Sequence, residues 1–291
     1  MNLIKKMLVD LNISSDESFV DFYDKVRDRD DISILKCLRS EVLLLSKTDH
    51  ISYNHYKDLE NFSYWNTDDR RLALNSTYED DKRRFDTFRE LVTNKRWLDI
   101  GTGSGGILDL LSPFALNTTA VELQENSRKE LTKLGYNVFE LIDECENDYF
   151  EVVTLFHVFE HFVEPIKELK TIKNKMKIGG KLIVEVPHAR DVLLSFFKND
   201  AFMSHTFWSE HLILHTKNSL RIIFESLGFK NISIQGVQRY PLSNHLLWLS
   251  KGLPGGHKVL NQFNNVYLNN EYSNILSNLD YNDTLILTAD K

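Results

Sequence analysis

The sequence is poor in the residues that build disulfide-stapled or membrane-spanning proteins. It has 2 cysteines and 5 prolines among 291 residues. Cys37 and Cys145 form no CxxC pattern and lack metal-ligand spacing, which excludes a disulfide scaffold and favours a reducing compartment. No apolar run approaches the roughly 20 residues of a membrane helix, and the N-terminus lacks one long enough for a signal peptide. We therefore expect a soluble, cytoplasmic protein without a membrane span.

An excess of positive charge is also absent, since Lys and Arg total 35 against 42 Asp and Glu, a formal net charge of -7. Proteins that bind the nucleic-acid backbone need clustered Lys and Arg to displace counterions from phosphates. The composition therefore argues against a nucleic-acid partner. Hydrophobic residues at 42% and charged residues at 26% are ordinary globular usage.

The first ninety or so residues differ in pattern from the rest. Residues 32–38 and 42–45 show helical periodicity, residues 53–65 are rich in aromatic side chains, and residues 80–92 read as an amphipathic helix. We predict a helical N-terminal cap over residues 1–92, followed by the main domain over residues 93–291.

In the main domain, short apolar segments alternate with helical ones, which predicts a parallel sheet covered on both faces. The last two predicted strands lack a full crossover helix, which predicts an antiparallel closure. The predicted fold class is α/β, a Rossmann-like, doubly wound, mostly parallel seven-stranded sheet with an antiparallel last strand, behind the helical cap. Strands are predicted at 97–100, 118–122, 137–141, 151–156, 181–186, 231–237 and 283–288, with an insertion at about 240–280 containing a loop and a helix.

The glycine-rich segment 98–106 (LDIGTGSGG) satisfies two patterns. Gly101, Gly103 and Gly106 fit the dinucleotide fingerprint GxGxxG, with Glu122 about twenty residues on. With Asp99 two residues before the first glycine, the segment instead resembles the motif D/E-x-G-x-G-x-G of class I S-adenosylmethionine-dependent methyltransferases. A dinucleotide places its pyrophosphate on the helix N-terminus, whereas S-adenosylmethionine carries a cationic amino group that suits an acidic neighbour.

Further ordered segments resemble the same superfamily over residues 95 to 290. Among them are 149–153 (YFEVV, with Glu151 in place of the usual Asp), 157–162 (HVFEHF), 178–182 (IGGKL), 185–188 (EVPH) and 208–212 (WSEHL). The resemblance implies S-adenosylmethionine as cofactor. Asp99 would steer its amino group, Glu122 would take both ribose hydroxyls, and the loop at Ile142 and Asp143 would contact adenine. The implied cofactor-binding residues are Asp99, Gly101, Thr102, Gly103, Gly105, Glu122, Leu123, Ile142, Asp143, Phe156, His157 and Val158.

Residues 157–161 (HVFEH) also spell HxxEH, a zinc motif of metallopeptidases that requires both histidines on one helix face. Here His157 ends a predicted strand, so the chain changes direction within the motif. We therefore expect no metal site. His161 then either faces the acceptor site or is a locally bonded helix-start residue.

Methyl transfer needs the acceptor, methyl group and sulfur in line, and a hydroxyl acceptor needs a base that works near neutral pH. Several histidines follow the fifth predicted strand, at the sheet edge where open α/β folds bind ligands. His211 with Glu210 is the first choice for the catalytic site, His188 the second, and His161 a further candidate.

The segment 208–220 resembles sugar-modifying methyltransferases, which implies a small hydroxylated acceptor such as a sugar, free, nucleotide-linked or in a polysaccharide. Relatives that methylate sugar carbon carry an N-terminal cysteine zinc cluster, which this chain lacks, so O-methylation is favoured. The alternatives are N- or C-methylation of another small metabolite, a non-catalytic S-adenosylmethionine-binding protein and a nicotinamide-dependent oxidoreductase. The oligomeric state is left open.

Overall fold

The computed structural model describes residues 2–51, 67 and 69–291 of the chain. The aromatic stretch at 53–65 therefore lies outside the described residues. The strands of the described part form two sheets. In chain order they are β1 (Phe19–Tyr23), β2 (Ile34–Cys37), β3 (Leu43–Leu45), β4 (Arg96–Ile100), β5 (Asn117–Val121), β6 (Asn137–Phe139), β7 (Phe150–Phe156), β8 (Met176–Pro187), β9 (Ile213–Leu214), β10 (Lys230–Val237) and β11 (Thr284–Asp290).

The larger sheet has seven strands in the order β10-β11-β8-β7-β4-β5-β6. Its five strands from β8 to β6 run parallel, and β11 runs antiparallel to both β8 and β10. The mostly parallel sheet and its antiparallel last strand confirm the predicted fold class. β4 and β7 are buried along nearly their whole length because both of their faces are covered.

Helices cover both faces of this sheet, and the alternation of side chains along each strand decides which face each residue joins. Trp97 and Val152 pack with the helices on one face, whereas Leu98 and Val153 pack on the other. The helices are α1 (Leu3–Asp10), α2 (Arg70–Val92), α3 (Gly106–Leu111), α4 (Glu125–Lys133), α5 (Pro165–Lys175), α6 (Val192–Ser195), α7 (Asp200–Thr206), α8 (Lys217–Ser226), α9 (Leu242–Lys251), α10 (Gly256–Val259) and α11 (Val266–Leu279).

The N-terminal region departs from the predicted helical cap. The segments 32–38 and 42–45 contain strands β2 and β3 instead of helices, and with β1 and β9 they form an antiparallel sheet in the order β1-β2-β3-β9. All three residues of β3 are buried, and periodicity alone cannot distinguish such a short apolar run from a buried helix. The helix predicted at 80–92 is present as the second half of α2, which runs over 23 residues and ends at Val92, and α1 is a helix that the pattern did not indicate.

This small sheet also contacts the segment 207–214, which lies far from it in the sequence. β3 pairs with β9 through Leu43 opposite Leu214 and Leu44 opposite Ile213. The Ser209 amide and hydroxyl donate to the Asp28 carboxylate at 3.0 and 2.5 Å. The N-terminal region therefore fixes the segment that carries His211.

The insertion predicted at about 240–280 contains three helices, α9 to α11, where a loop and one helix were expected. Asn244 stabilises the turn between α9 and α10, because its Oδ1 accepts the amides of Gly255 and Gly256, each at 3.1 Å. None of the helices in the described residues is sufficiently long and apolar to cross a membrane.

Candidate active site

The glycine loop joins β4 to α3 through left-handed backbone conformations. Gly101, Gly103 and Gly105 have φ values of +71°, +57° and +76°, which side chains other than glycine adopt at a cost. A Cβ atom at Gly101 would lie 2.4 Å from Val158 Cγ2. The loop thus presents bare backbone, and it packs directly against the turn that follows β7.

Asp99 lies at the end of β4, just before this loop. Its Oδ1 accepts a hydrogen bond from the Thr154 hydroxyl at 2.6 Å, and Thr154 in turn accepts one from the Trp97 indole at 2.9 Å. Burial raises the pKa of Asp99 to about 7, against the lowering effect of the Thr154 bond. A cationic ligand at this position would favour the ionised carboxylate.

Glu122 follows β5 directly and is buried beside the same loop. Its two carboxylate oxygens accept the amides of Gly103 at 2.7 Å and Gln124 at 2.8 Å. Burial raises the pKa of Glu122. Arg128 donates to the carbonyls of Glu122 and Leu123 at 2.8 and 3.0 Å, which fixes this strand end. Because each carboxylate oxygen has two acceptor positions, both keep room for a hydroxyl donor.

The predicted cofactor positions Ile142 and Asp143 differ in how far their side chains are exposed. Ile142 is buried and begins a short 3-10 helix, Ile142–Glu144, whereas the Asp143 side chain is exposed and its carbonyl accepts the Lys175 ammonium at 2.9 Å. Phe156 ends β7 and stacks on Phe88 of α2 with ring centroids 5.8 Å apart. The contacts of Phe156 are therefore with the helix layer.

The chain changes direction within the HxxEH segment, as predicted. His157 follows β7 with φ +57°, and Glu160 and His161 lie on the 3-10 helix Phe159–His161. His157 Nδ1 is 3.1 Å from Glu160 Oε1, and its Nε2 is 3.2 Å from Glu185 Oε1. Burial and Arg239 oppose protonation of His157, but these two carboxylates outweigh them and raise its pKa.

A buried ion-pair network around Glu185 was missed from the sequence. Glu185 Oε1 accepts Arg83 Nη2 at 2.8 Å and Arg84 Nη2 at 2.7 Å, both from α2. Although burial opposes its ionisation, these guanidinium groups and His157 hold the pKa of Glu185 well below its usual range. A glutamate in an apolar strand is a weak sequence signal, and its partners lie about a hundred positions away.

The structure brings His161 and His211 together, with ring centroids 5.1 Å apart. The Leu212 amide donates to the Glu160 carbonyl at 3.0 Å, which ties the segment carrying His211 to the 3-10 helix. Burial lowers the pKa of both histidines to about 3, and a hydrogen bond to the Glu210 backbone acts in the opposite direction on His161. Both rings are neutral at pH 7.

His188 contacts a different set of residues. Its side chain is fully buried, its Nδ1 is 3.0 Å from the Asn282 carbonyl, and its Nε2 is 4.0 Å from Asp280. Burial lowers the pKa of His188 to about 4. These neighbours belong to the turn before β11. Glu210 is also buried, and its backbone supports His161.

Comparison with known proteins identifies the class to which this fold and site belong. A family model described as a methyltransferase domain matches residues 36–234, more than half of the chain. A methyltransferase structure from Archaeoglobus fulgidus, described as SAM-dependent, is similar with a TM-score of 0.50 and 19% identity, over 77% of this chain and 95% of that one. No curated protein matches the sequence.

Two further solved structures are similar at lower scores. One is a possible histamine N-methyltransferase from Thermotoga maritima, with a TM-score of 0.49 and 16% identity over 72% of this chain and 89% of that one. The other is phosphoethanolamine N-methyltransferase 2 from Haemonchus contortus, with a TM-score of 0.48 and 17% identity over 83% of this chain and 60% of that one.

The fold and the family match define an S-adenosylmethionine-dependent methyltransferase with a Rossmann-like sheet, which confirms the predicted superfamily. The chain belongs to the methyltransferase-domain family, its enzyme class is EC 2.1.1, and its cofactor is S-adenosylmethionine. The described residues suit this ligand. The loop at Gly101 offers backbone without side chains, and Asp99 is a buried carboxyl whose pKa is raised by burial and would be lowered by a cationic amino group.

Proposed function

We propose that the protein methylates a hydroxyl group of a small acceptor, with a sugar, free, nucleotide-linked or in a polysaccharide, as the acceptor class. The observation that carries this proposal is the His161–His211 pair next to the cofactor loop. Val158 packs against Gly101 in that loop, and the 3-10 helix with His161 begins at the next residue. Acceptor-binding side chains thus lie within one short turn of the cofactor backbone.

The neutral rings of His161 and His211 suit a hydroxyl better than a charged amine. A neutral imidazole accepts a hydrogen bond through one ring nitrogen, and such a bond from the acceptor hydroxyl directs an oxygen lone pair toward the methyl group. His211 is our first choice for this role. Glu210 supports His161 through its backbone, and His188, which lies among other residues, is left out of the proposed site.

The cofactor residues carry over from the sequence as part of the same proposal. Bound S-adenosylmethionine supplies the methyl group on a positively charged sulfur. Asp99 holds its amino group and Glu122 its ribose hydroxyls. The remaining predicted contacts are Gly101, Thr102, Gly103, Gly105, Leu123, Ile142, Asp143, Phe156, His157 and Val158. The cytoplasmic location and the sugar partner predicted from the sequence also remain part of this proposal.

The test is a set of reactions with S-adenosylmethionine and separate pools of sugars, nucleotide-linked sugars and amines, read by mass spectrometry. We expect a product heavier by one methylene group from a hydroxylated acceptor. Methylation of amines alone would overturn the acceptor class, and cofactor binding without turnover on any pool would favour the non-catalytic alternative.

His211→Ala tests the residue assignment. We expect its turnover to fall by about 100-fold, because without the hydrogen bond the acceptor oxygen is no longer aligned with the methyl group, with unchanged cofactor affinity. His205→Ala, on α7 with its ring 5.3 Å from Trp248, is the matched control and should keep wild-type turnover.

A further inference from the structure

Glu160, His161 and His211 form a cluster, and a hydrogen bond from the acceptor to one histidine leaves the Glu160 side chain without a role. One ligand atom from each of the three side chains lies within 4.8 Å of those from the other two. Two atoms bound to one Zn²⁺ ion at about 2.1 Å lie at most about 4.2 Å apart, so small side-chain rotations bring all three within reach of one ion.

Two buried polar atoms in this cluster lack a protein partner. Among the described residues, neither Glu160 Oε2 nor His211 Nδ1 has a hydrogen bond. Glu160 is 0% exposed. A buried carboxylate oxygen without a hydrogen-bond partner is destabilising unless a ligand satisfies it.

Neighbouring groups hold two of the three side chains in the way that metal ligands are usually held. Glu160 Oε1 is 3.1 Å from His157 Nδ1, which leaves Oε2 as the atom directed elsewhere. His161 hydrogen-bonds the backbone of Glu210. A metal-binding histidine commonly bonds a backbone carbonyl through its other ring nitrogen, and that bond fixes the orientation of the ring.

We propose that Glu160, His161 and His211 bind a divalent first-row transition-metal ion, which in turn binds the oxygen of the hydroxylated acceptor. Two imidazoles and one carboxylate are a ligand set typical of catalytic zinc, and three protein ligands leave a position for substrate. The ion would act as a Lewis acid that lowers the pKa of the bound hydroxyl, whose proton would pass to solvent; the O–CH3 bond would then form as the S–CH3 bond of S-adenosylmethionine breaks, releasing S-adenosylhomocysteine. This inference rests on the proposed function for its acceptor, and in it the ion replaces the direct hydrogen bond from the acceptor hydroxyl to His211; the metal site itself does not rest on that function.

The inference reverses the expectation that the HxxEH segment holds no metal. That expectation took His157 and His161 as the two histidine ligands. The change of chain direction does place them on different elements, so these two do not lie on one helix face. The structure supplies the second histidine from residue 211, about fifty positions later, through the segment that pairs with the N-terminal sheet.

The experiment uses the full chain, stripped of metal with a chelator, and titrates Zn²⁺ in competition with a chromophoric zinc chelator. We expect one Zn²⁺ per chain, with the affinity reduced by about 100-fold in Glu160→Gln and in His211→Gln because a ligand is lost. His205→Gln is the control for adventitious binding and should match wild type. The absence of a stoichiometric site, or equal affinity in all variants, would overturn the proposal.

Two further readouts keep folding and function separate. Binding of S-adenosylmethionine to each variant reports whether the cofactor domain is intact, and Glu160→Gln preserves the shape of the side chain. Stoichiometric Zn²⁺ binding in a protein that methylates no hydroxyl would support the site and refute the acceptor class. Hydroxyl methylation at an undiminished rate in chelator-treated protein and in Glu160→Gln would refute the metal and leave the acceptor class standing.

Discussion

Gly101 illustrates how one backbone position serves both packing and ligand access. Its φ of +71° is unfavourable for other residues, and a side chain there would collide with Val158. Gly135, in the turn after α4, has φ +92°, and a Cβ atom there would meet nothing within 4 Å among the described residues. Comparing the two glycines therefore separates the energetic cost of the backbone angle, which both positions share, from the cost of the collision, which only Gly101 has.

We predict that Gly101→Ala lowers the free energy of unfolding by about 2–4 kcal/mol, because overpacking adds to backbone strain, and weakens S-adenosylmethionine binding at least about tenfold. Gly135→Ala should cost about 1–2 kcal/mol from the backbone angle alone, with unchanged binding. Urea unfolding and calorimetric titration measure both quantities. Equal losses in the two variants would contradict the role of the Val158 contact.

Asp99 predicts a pH dependence of cofactor affinity. Its pKa is about 7 in the free protein because of burial, and the cationic amino group of the ligand should lower it in the complex. The carboxylate must then lose a proton for binding, so affinity is highest above pH 7 and falls as the pH drops below it. The loss approaches about tenfold per pH unit until the lower pKa of the complex is reached.

Calorimetric titration between about pH 7 and about pH 5.5 checks this, a window in which most of the ligand amino groups stay protonated. In Asp99→Asn the affinity should be lower at the upper end of the window and nearly independent of pH. A pH slope that persists in this variant would assign the proton to another group.

At the scale of elements, the small antiparallel sheet positions the segment that carries His211, the residue that we propose acts on the acceptor. The loop after β1 carries Asp28, which receives two hydrogen bonds from Ser209, two residues before His211. Ser209 also places its carbonyl 2.8 Å from His50 Nε2. These contacts hold the backbone of the segment in addition to the hydrogen bond from the Leu212 amide to the Glu160 carbonyl of the 3-10 helix.

We predict that Asp28→Ala lowers kcat by about tenfold without changing S-adenosylmethionine affinity, because misplacement of His211 affects the reaction and not the cofactor loop. Ser209→Ala should have a similar but smaller effect, and the double variant should lose less than the sum because the two residues share the same bonds. Asp30→Ala, in the same loop and paired with exposed Lys25, is the control and should leave kcat unchanged. Additive effects would indicate that the two residues act separately.

The elements also show where sequence reasoning succeeded. The strands of the large sheet, such as 151–156, were predicted within a few residues because long apolar runs bounded by turn residues are distinctive. The short runs at 34–37 and 43–45 are equally apolar, but their strand pairing depends on partners such as Ile213 that are distant in sequence. Without the partner, a three-residue strand and one turn of buried helix look alike.

At the scale of the whole molecule, cofactor binding should stabilise the fold. A ligand that binds only the folded state at about 100 times its Kd adds about 2.7 kcal/mol. For a chain of this size that corresponds to a rise in Tm of about 4–5 °C. We predict this rise with S-adenosylmethionine or S-adenosylhomocysteine and none with NAD at the same concentration, measured by differential scanning calorimetry. An equal rise with NAD would contradict the choice made between the two glycine patterns.

The sequence by itself was sufficient to predict the cofactor and the residues that we propose to bind it. Asp99, the glycines after it and Glu122 are close in the chain, and their chemistry depends on local turns at the ends of adjacent strands. Only the tertiary structure brought together the residues that we propose to bind the acceptor. The cluster of Glu160, His161 and His211, and the pairing of Glu185 with Arg84, join residues separated by about fifty to a hundred positions. Such proximity follows from the packing of elements on the sheet, and no local pattern encodes it.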